Sequence, residues 1–176
     1  RAAFYTDGQS LDIEDPTIGT QGYSIVKYIN KTSTGQNGSN FSEGLVDTDF
    51  PMIRLADVYL MYAEAVVRGG TGGSKSLAAE YINLIRKRAY GNETGKVSED
   101  ELTLDFILAE RGRELYWEGT RRTDLIRFGK FTGSSYVWQW KGGTMDGTGT
   151  DSKFNLYPLP PADLAANPNL KQNEGY

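Results

Sequence analysis

The chain has 176 residues, of which 19 are basic and 23 acidic, so its formal net charge is -4; it contains no cysteine and no histidine. This length is sufficient for one domain whose core needs no disulfide bonds. The charge provides no basic field for nucleic acid and no polybasic segment for anionic lipid, so we expect small neutral ligands or proteins as partners. Without cysteine and histidine, Ser-His-Asp and Cys-His catalytic pairs, thiolate metal sites and imidazole zinc sites are excluded from the chain.

The chain carries no apolar run of about 18 residues that would span a membrane, and no charged-then-apolar signal peptide opens it. It begins at Arg1 within loop-like sequence. We therefore expect it to be a portion of a longer protein.

Residues 1–49 are rich in Gly, Ser, Thr and Asn, which predicts a mostly irregular segment that completes the fold. Its one strand candidate is Tyr23–Ile29, whose β-branched residues suit a strand. Residues 50–176 are predicted to form a helical region, and we expect one domain overall.

Two helices joined by a short glycine-rich connection are predicted after Phe50. The first should end at Gly69 and Gly70, and the second should begin at Ser74 or Ser76. The short connection favours an antiparallel helical hairpin of the tetratricopeptide type. The apolar stripe of the first helix contains Leu55, Tyr59, Tyr62 and Val66, and that of the second contains Leu77, Tyr81, Leu84 and Arg88, widened by Ile82 and Ile85.

A third helix is predicted with two alternative starts, a capping box formed by Ser98 and Glu101 or a cap at Thr103. It should end at Gly119 and be followed by a short helix over about 121–128. Beyond Lys130 the many glycines predict a long loop or a hairpin. The segment from Leu156 should be extended and then form one helical turn, since Pro161 suits a first helical position.

Arg111 lies in the middle of an apolar face of the third helix, beside Leu108 and Leu115. A guanidinium placed there needs a carboxylate or main-chain carbonyls, because an unpaired buried charge costs several kcal/mol. Glu114 and Glu118 are the nearest local candidates. We therefore predict a structural ion-pair network that joins the third helix to the segment after it and contains Arg111, Glu114, Glu118, Arg121, Arg122 and Asp124.

The glutamates also permit a catalytic interpretation. Glu110, Glu114 and Glu118 are spaced at i, i+4, which would allow an acid/base pair as in glycoside hydrolysis. Because arginines and a lysine follow or interleave them, the ion-pair interpretation is favoured.

Three aromatic residues in the glycine-rich region are candidates for ligand binding, namely Tyr136, Trp138 and Trp140. Their alternation in an extended segment would project both tryptophans to one side, where the flat C–H face of a sugar ring could stack on the indoles. The competing interpretation, which has more weight for large aromatics, is that the tryptophans cover the helical core.

Two further motifs are interpreted as turns or connectors. Asp146–Asp151 offers oxygen ligands but lacks the later bidentate glutamate of a calcium loop, so a solvated turn is favoured. Gly69–Ser74 lacks the lysine and hydroxyl pair of a P-loop in register, so a flexible connector is favoured over a phosphate site. We predict no metal and no cofactor.

Several segments, in this order, resemble the carboxy-terminal part of the SusD/RagB family. The resemblance covers about Phe50 to Tyr176 well and the first 49 residues loosely. The segments that carry it are Pro51–Ala65, Ile82–Ala89, Glu110–Lys130, Leu156–Pro160 and Asn167–Tyr176.

This resemblance implies a mainly α fold: a tetratricopeptide-like helical hairpin plus further helices with long irregular loops. It implies an outer-membrane lipoprotein of Bacteroidetes, exposed at the cell surface, that binds oligosaccharide, polysaccharide or peptide nutrients without cleaving them. It also implies a SusC-like TonB-dependent transporter as the partner that receives the nutrient. The lipid-anchor cysteine and the amino-terminal half of the family are absent from this sequence, so membrane attachment cannot be read from it.

The family motifs present here are scaffold, so no ligand-contacting residue is transferred from the family. The ligand-binding candidates are supported by physical reasoning alone; they are Trp138, Trp140 and Tyr136. Two alternatives to a nutrient-binding protein remain open: a glycoside hydrolase that uses Glu110, Glu114 and Glu118, and an interaction module that docks the transporter.

Overall fold

The computed structural model describes residues 4–32, 34–39 and 41–176. Its regular structure is mainly helical, as predicted. Two short strands, β1 (Phe4–Tyr5) and β2 (Ser24–Ile25), pair in antiparallel orientation. The helices are α1 (Leu55–Val67), α2 (Lys75–Tyr90), α3 (Leu104–Glu114), α4 (Arg121–Arg127) and α5 (Pro161–Ala166). Within the described ranges, no helix combines the length and hydropathy that crossing a membrane would require.

The described residues form two compact units. Unit 1 contains the described residues before Leu11 together with Gly22–Arg121, and unit 2 contains Leu11–Gln21 together with Arg122–Tyr176. The expected division at residue 49, and one domain overall, stay predictions.

The predicted helical hairpin is present in unit 1. The Ser74 hydroxyl caps α2 by accepting from the Leu77 N–H at 3.2 Å, which selects the first of the two predicted starts. Tyr62 lies near the start of α2, where its hydroxyl accepts from the Ser74 N–H at 3.1 Å, and Tyr59 stacks on Tyr81 with ring centroids 4.3 Å apart. Residues earlier in α1 therefore meet residues later in α2, so the two helices are antiparallel.

The buried face of α1 differs from the predicted stripe. Leu60 and Ala63 have no exposed surface, whereas Leu55 is 62% exposed. At 100° per residue, the buried face lies about a third of a turn from the stripe of large side chains. Ala63 on α1 and Ala78 and Ala79 on α2 are buried, so small residues contribute to the interior of the hairpin together with Leu60 and Ile82.

Both predicted caps of the third helix are used. The Glu101 carboxylate accepts from the Ser98 N–H at 2.7 Å in a 3₁₀ turn, and the Thr103 hydroxyl then caps α3 by accepting from the Phe106 N–H at 3.1 Å. The predicted end at Gly119 is wrong, because α3 ends at Glu114. The chain then turns through Trp117, which has φ of 62°, and so cannot continue the helix.

The strand predicted over Tyr23–Ile29 is shorter than expected. Only Ser24 and Ile25 pair with another strand, and Tyr28 has φ of 62°, which is incompatible with an extended chain.

Unit 2 is largely irregular after α4, which ends one residue before the predicted limit. Gly133 and Thr150 form an antiparallel bridge that closes the intervening segment. The 3₁₀ turn Ser152–Asn155 is capped by the Asp151 carboxylate, which accepts from the Lys153 N–H at 2.8 Å. Helix α5 begins at Pro161, as predicted.

Candidate functional site

Four charged residues of the third helix and of the turn after it are buried in unit 1. Glu110 and Glu114 have no exposed surface, Arg111 is 4% exposed and Glu118 is 8% exposed. The Arg111 Nη1 donates to Asp57 Oδ1 on α1 at 2.8 Å. The sequence named two local glutamates as partners of Arg111 and missed Asp57, whose closeness depends on the packing of α1 against α3.

Glu114 and Glu118 are held together by one arginine. Arg54 donates from Nη1 to the Glu114 carboxylate and from Nε to the Glu118 carboxylate, each at 2.7 Å. Arg88 also donates to Glu114, and Lys27 also donates to Glu118. All three cations come from other parts of unit 1 and were missed by the sequence analysis, which looked for partners downstream of α3.

These contacts change proton affinities. Burial raises the pKa of Glu118, but hydrogen bonds from Arg54 and Lys27 outweigh it and hold the pKa below its ordinary value. Burial lowers the pKa of Arg54, but hydrogen bonds to Glu118 and Glu114 raise it above the ordinary value. Both groups are therefore held in their charged forms.

Glu110 has its own partners. Arg86 Nη1 donates to its carboxylate at 2.8 Å, and Arg113 Nη2 at 2.6 Å. A general acid must reach a substrate, and a carboxylate without exposed surface that is bound by two arginines has no access to one. This geometry favours a structural role for the glutamates of α3.

The other residues of the predicted network have different partners. Arg121 Nη1 donates to the Leu108 carbonyl at 2.9 Å and lies against Gly112, where a Cβ atom would come within 3.0 Å of it. Asp124 is 1% exposed and pairs with Arg127 at 2.8 Å. The structure thus joins Glu114 and Glu118 through Arg54, while Arg121 contacts the backbone of α3 and Asp124 forms an ion pair within α4.

Arg122 lies in a different environment. Its Nη2 donates to the carbonyls of Phe154 and Asn155 at 2.8 and 3.3 Å, and its guanidinium lies 4.0 Å from the ring centroid of Tyr157 and 5.0 Å from that of Phe131. In the part of the chain that the structure describes, no carboxylate forms an ion pair with Arg122.

This arginine lines a cavity of about 730 Å³ that lies within unit 2. The cavity is bordered by aromatic side chains and by the glycine-rich segment that follows α4. Its lining residues are Arg122, Phe131, Trp138, Trp140, Lys141, Gly142, Thr148, Gly149, Thr150, Asp151, Phe154, Leu156, Tyr157 and Tyr176.

Two of the three predicted ligand-binding residues line the cavity. Trp138 is 38% exposed, and its ring lies 6.4 Å from that of Phe131. Trp140 also lines it, but its indole N–H donates to the Ile13 carbonyl at 2.8 Å, which fixes the ring to the framework of unit 2. Tyr136 is not among the lining residues and packs against Trp138 with centroids 6.2 Å apart.

The segment that carries the tryptophans is not the extended strand that the alternation suggested. Trp140 has φ of 66°, and the Lys141 N–H donates to the Trp138 carbonyl at 3.0 Å, so the chain turns between the two rings. Gly147 lies against this turn, where a Cβ atom would collide with the Trp138 carbonyl oxygen. The position of Trp138 therefore depends on a glycine that follows it in the same loop.

Sequence reasoning missed Arg122, Phe131 and Tyr157 as residues of this cavity. Tyr157 lies in Leu156–Pro160, which was interpreted only as a scaffold motif, and Arg122 was assigned to the ion-pair network. Aromatic residues on both sides of a glycine-rich segment were the signal that could have indicated a shared cavity.

A sequence profile of the SusD family matches residues 7–176. The chain belongs to the SusD family. It is 46% identical over 157 residues to the starch-binding protein SusD of Bacteroides thetaiotaomicron, an alignment that covers 89% of this chain and 26% of that protein. It is 34% identical to SusD-like protein P38 of Formosa agariphila, over 78% of this chain and 26% of that protein. The chain thus spans about a quarter of the length of these SusD relatives.

Two solved structures share the fold of this chain. A SusD superfamily protein from B. thetaiotaomicron matches with a TM-score of 0.62 and 27% identity, over 94% of this chain and 35% of that one. Surface glycan-binding protein A from Bacteroides uniformis matches with a TM-score of 0.57 and 27% identity, over 79% of this chain and 31% of that one. The tetratricopeptide-like helical fold of the SusD family is therefore present here.

Proposed function

We propose that the protein represented by this chain binds a glycan at the bacterial cell surface and passes it, without cleaving it, to a SusC-like TonB-dependent transporter of the outer membrane. Membership of the SusD family supports this proposal, as do relatives named for starch binding and surface glycan binding. The observation in the structure that carries it is the aromatic-lined cavity of unit 2.

The cavity has the properties of a small-ligand site. Its volume of about 730 Å³ lies within the range of about 300–1,000 Å³ typical of such sites. Trp138 and Tyr157 offer flat apolar faces on which the C–H face of a sugar ring can stack, and Thr148 and Thr150 offer hydroxyls for hydrogen bonds. Tyr136 supports the Trp138 ring from outside the cavity.

Affinity electrophoresis through gels that contain different polysaccharides tests this function. We expect one or more polysaccharides to retard the protein, and Trp138→Ala to reduce the retardation. Trp117→Ala is a matched control, because Trp117 is a 60% exposed tryptophan of unit 1 that does not line the cavity. No retardation in any gel, or an equal effect of the two substitutions, would contradict the proposal.

A binding function without catalysis is part of the proposal. Two of the relatives are named as binding proteins, and Glu110 and Glu114 of α3 are buried against arginines. Release of reducing sugar by the purified protein, abolished by Glu114→Gln, would instead establish a glycoside hydrolase.

A second candidate function is docking of the transporter by this part of the protein. Met52, Ile53 and Leu55 at the start of α1 are 90%, 80% and 62% exposed, which is unusual for neighbouring large apolar residues. If they form the docking surface, the chain should co-purify with the transporter from outer-membrane extracts, and Ile53→Asp should abolish the co-purification while glycan retardation is unchanged.

A further inference from the structure

Among the side chains that line the cavity of unit 2, positive charges outnumber negative ones. The ionisable lining residues, apart from tyrosines, are Arg122, Lys141 and Asp151. Two of them are cations and one is an anion, and neither cation forms an ion pair with a carboxylate in the described ranges of the chain.

Arg122 has donors left for a ligand. Its Nη2 is occupied by two main-chain carbonyls, while the described residues offer no hydrogen-bond acceptor to its Nε or Nη1. The rings of Tyr157 and Phe131 hold the guanidinium in place by cation–π contact. The two N–H groups of Nη1 therefore remain available, and a hydrogen bond from a guanidinium to an anion is charge-assisted and stronger than one to a neutral group.

Lys141 adds a second positive charge that cannot move away. It is 3% exposed, and its ammonium donates to the carbonyls of Gly133 and Tyr136 at 2.9 and 2.6 Å. It lies 4.7 Å from the centroid of the Trp138 ring. Because carbonyls supply only dipoles, no bonded carboxylate neutralises this lysine, and it contributes a positive potential at the Trp138 side of the cavity.

Asp151 supplies the single negative charge among these three side chains. Its carboxylate caps the 3₁₀ turn Ser152–Asn155 by accepting the Lys153 N–H, so the side chain is committed to the framework. A cavity with excess positive charge is stabilised when its ligand brings the missing negative charge.

We propose that this cavity takes an acidic glycan, in which a carboxylate or sulfate group binds Nη1 of Arg122 while the sugar ring contacts Trp138. This inference rests on the proposed glycan-binding function and specifies the substrate class. It differs from the neutral ligand expected from the net charge of -4, because that number describes the whole chain and this cavity is locally cationic.

Calorimetric titration with two matched pairs of oligosaccharides tests the inference. The first pair is trigalacturonate and its methyl ester, and the second is a κ-carrageenan tetrasaccharide and its desulfated form. We expect the charged member of one pair to bind about tenfold or more tightly than its neutral counterpart, since hydrogen bonds to charged groups are the stronger ones. The pair that shows the preference distinguishes carboxylate from sulfate.

Substitutions of Arg122 test whether this residue causes the preference for charged over neutral oligosaccharides. Arg122→Gln should remove the difference between charged and neutral sugar, and Arg122→Lys should retain part of it. Lys171→Gln is the control, because it removes one positive charge from an exposed position of unit 2 outside the cavity. Equal or tighter binding of the neutral members, or a preference that survives Arg122→Gln in a variant with unchanged circular dichroism, would overturn the inference.

Different results would contradict the proposed glycan binding and the proposed acidic substrate class. Retardation by neutral polysaccharides, with no preference for charged oligosaccharides, would leave glycan binding in place and remove only the acidic substrate class. Absence of binding to every polysaccharide and oligosaccharide would contradict glycan binding itself.

Discussion

Arg111 of α3 donates a hydrogen bond to Asp57 of α1 at 2.8 Å. The two residues are 54 positions apart in the sequence, so the pair joins two helices that only tertiary packing brings together. Arg111 is 4% exposed and the Asp57 side chain 23% exposed. Desolvating two charges is costly, so the pair need not be a large net source of stability, but removing one partner leaves the other poorly solvated. The pair thereby specifies how α1 packs on α3.

A double-mutant cycle should detect this coupling. We expect Asp57→Asn and Arg111→Gln each to lower the free energy of unfolding by about 2–4 kcal/mol, and the double variant to cost about 1–3 kcal/mol less than their sum. Urea unfolding measures these values. Lys87 and Glu93, an ion pair at 2.6 Å with both side chains more than half exposed, provide the control cycle, which should show no measurable coupling. Similar coupling in both cycles would contradict the importance of burial.

Two leucine-to-alanine substitutions test which face of α1 is buried. Leu60→Ala should lower the free energy of unfolding by about 2–5 kcal/mol, because it leaves a cavity at a residue without exposed surface. Leu55→Ala makes the same chemical change at a residue that is 62% exposed and should cost about 0.5 kcal/mol or less. Thermal and urea unfolding compare the two. A larger cost at Leu55 would restore the face that the sequence stripe predicted.

The helices could be predicted because their signals are local. Ser74 and Thr103 precede apolar periodic segments, and Pro161 marks the start of α5. The buried face of α1 could not be predicted in the same way, because large side chains such as Tyr59 outweigh Ala63 in a periodicity count although the alanine is the residue without exposed surface.

The candidate site was predictable only in part. Trp138 and Trp140 were named from their residue type, and both line the cavity. The sequence analysis did not associate Tyr157 and Arg122 with them, because their closeness depends on turns made by glycines within an irregular segment. Similarly, Glu114 and Glu118 were expected to be paired, but Arg54 lies 60 residues before Glu114, and only tertiary packing brings it there.

Glu118 gives a pH-dependent prediction. Burial raises its pKa, but hydrogen bonds from Arg54 and Lys27 prevail, so the folded-state pKa lies below the ordinary value of 4.5. A depressed pKa contributes stability that is fully present above the unfolded-state pKa and is lost as the pH falls through the folded-state pKa. The stability difference between the unsubstituted protein and Glu118→Gln should therefore be constant near neutral pH and narrow below about pH 4.5.

Urea midpoints measured from about pH 7 to about pH 3 test this behaviour. Glu174→Gln is the control for the loss of one negative charge, since Glu174 is exposed and lies in unit 2. A difference for Glu118→Gln that stays constant or widens toward acid would show that Arg54 and Lys27 do not stabilise the carboxylate.

A substitution at Gly147 tests the cavity without replacing any residue that lines it. Gly147 has φ of 74°, and a Cβ atom there would collide with the Trp138 carbonyl oxygen, so Gly147→Ala must displace the turn that carries Trp138. Gly143 has φ of 81° but no neighbouring atom within 4 Å of the point that a Cβ atom would occupy, so Gly143→Ala adds a similar backbone strain without the clash. We expect about a tenfold or greater loss of glycan affinity for Gly147→Ala and little change for Gly143→Ala, measured by calorimetric titration. If Gly147→Ala lowers the thermal stability but leaves the affinity unchanged, Trp138 does not contact the glycan; if both variants lose affinity equally, strain in the loop rather than the position of Trp138 controls binding.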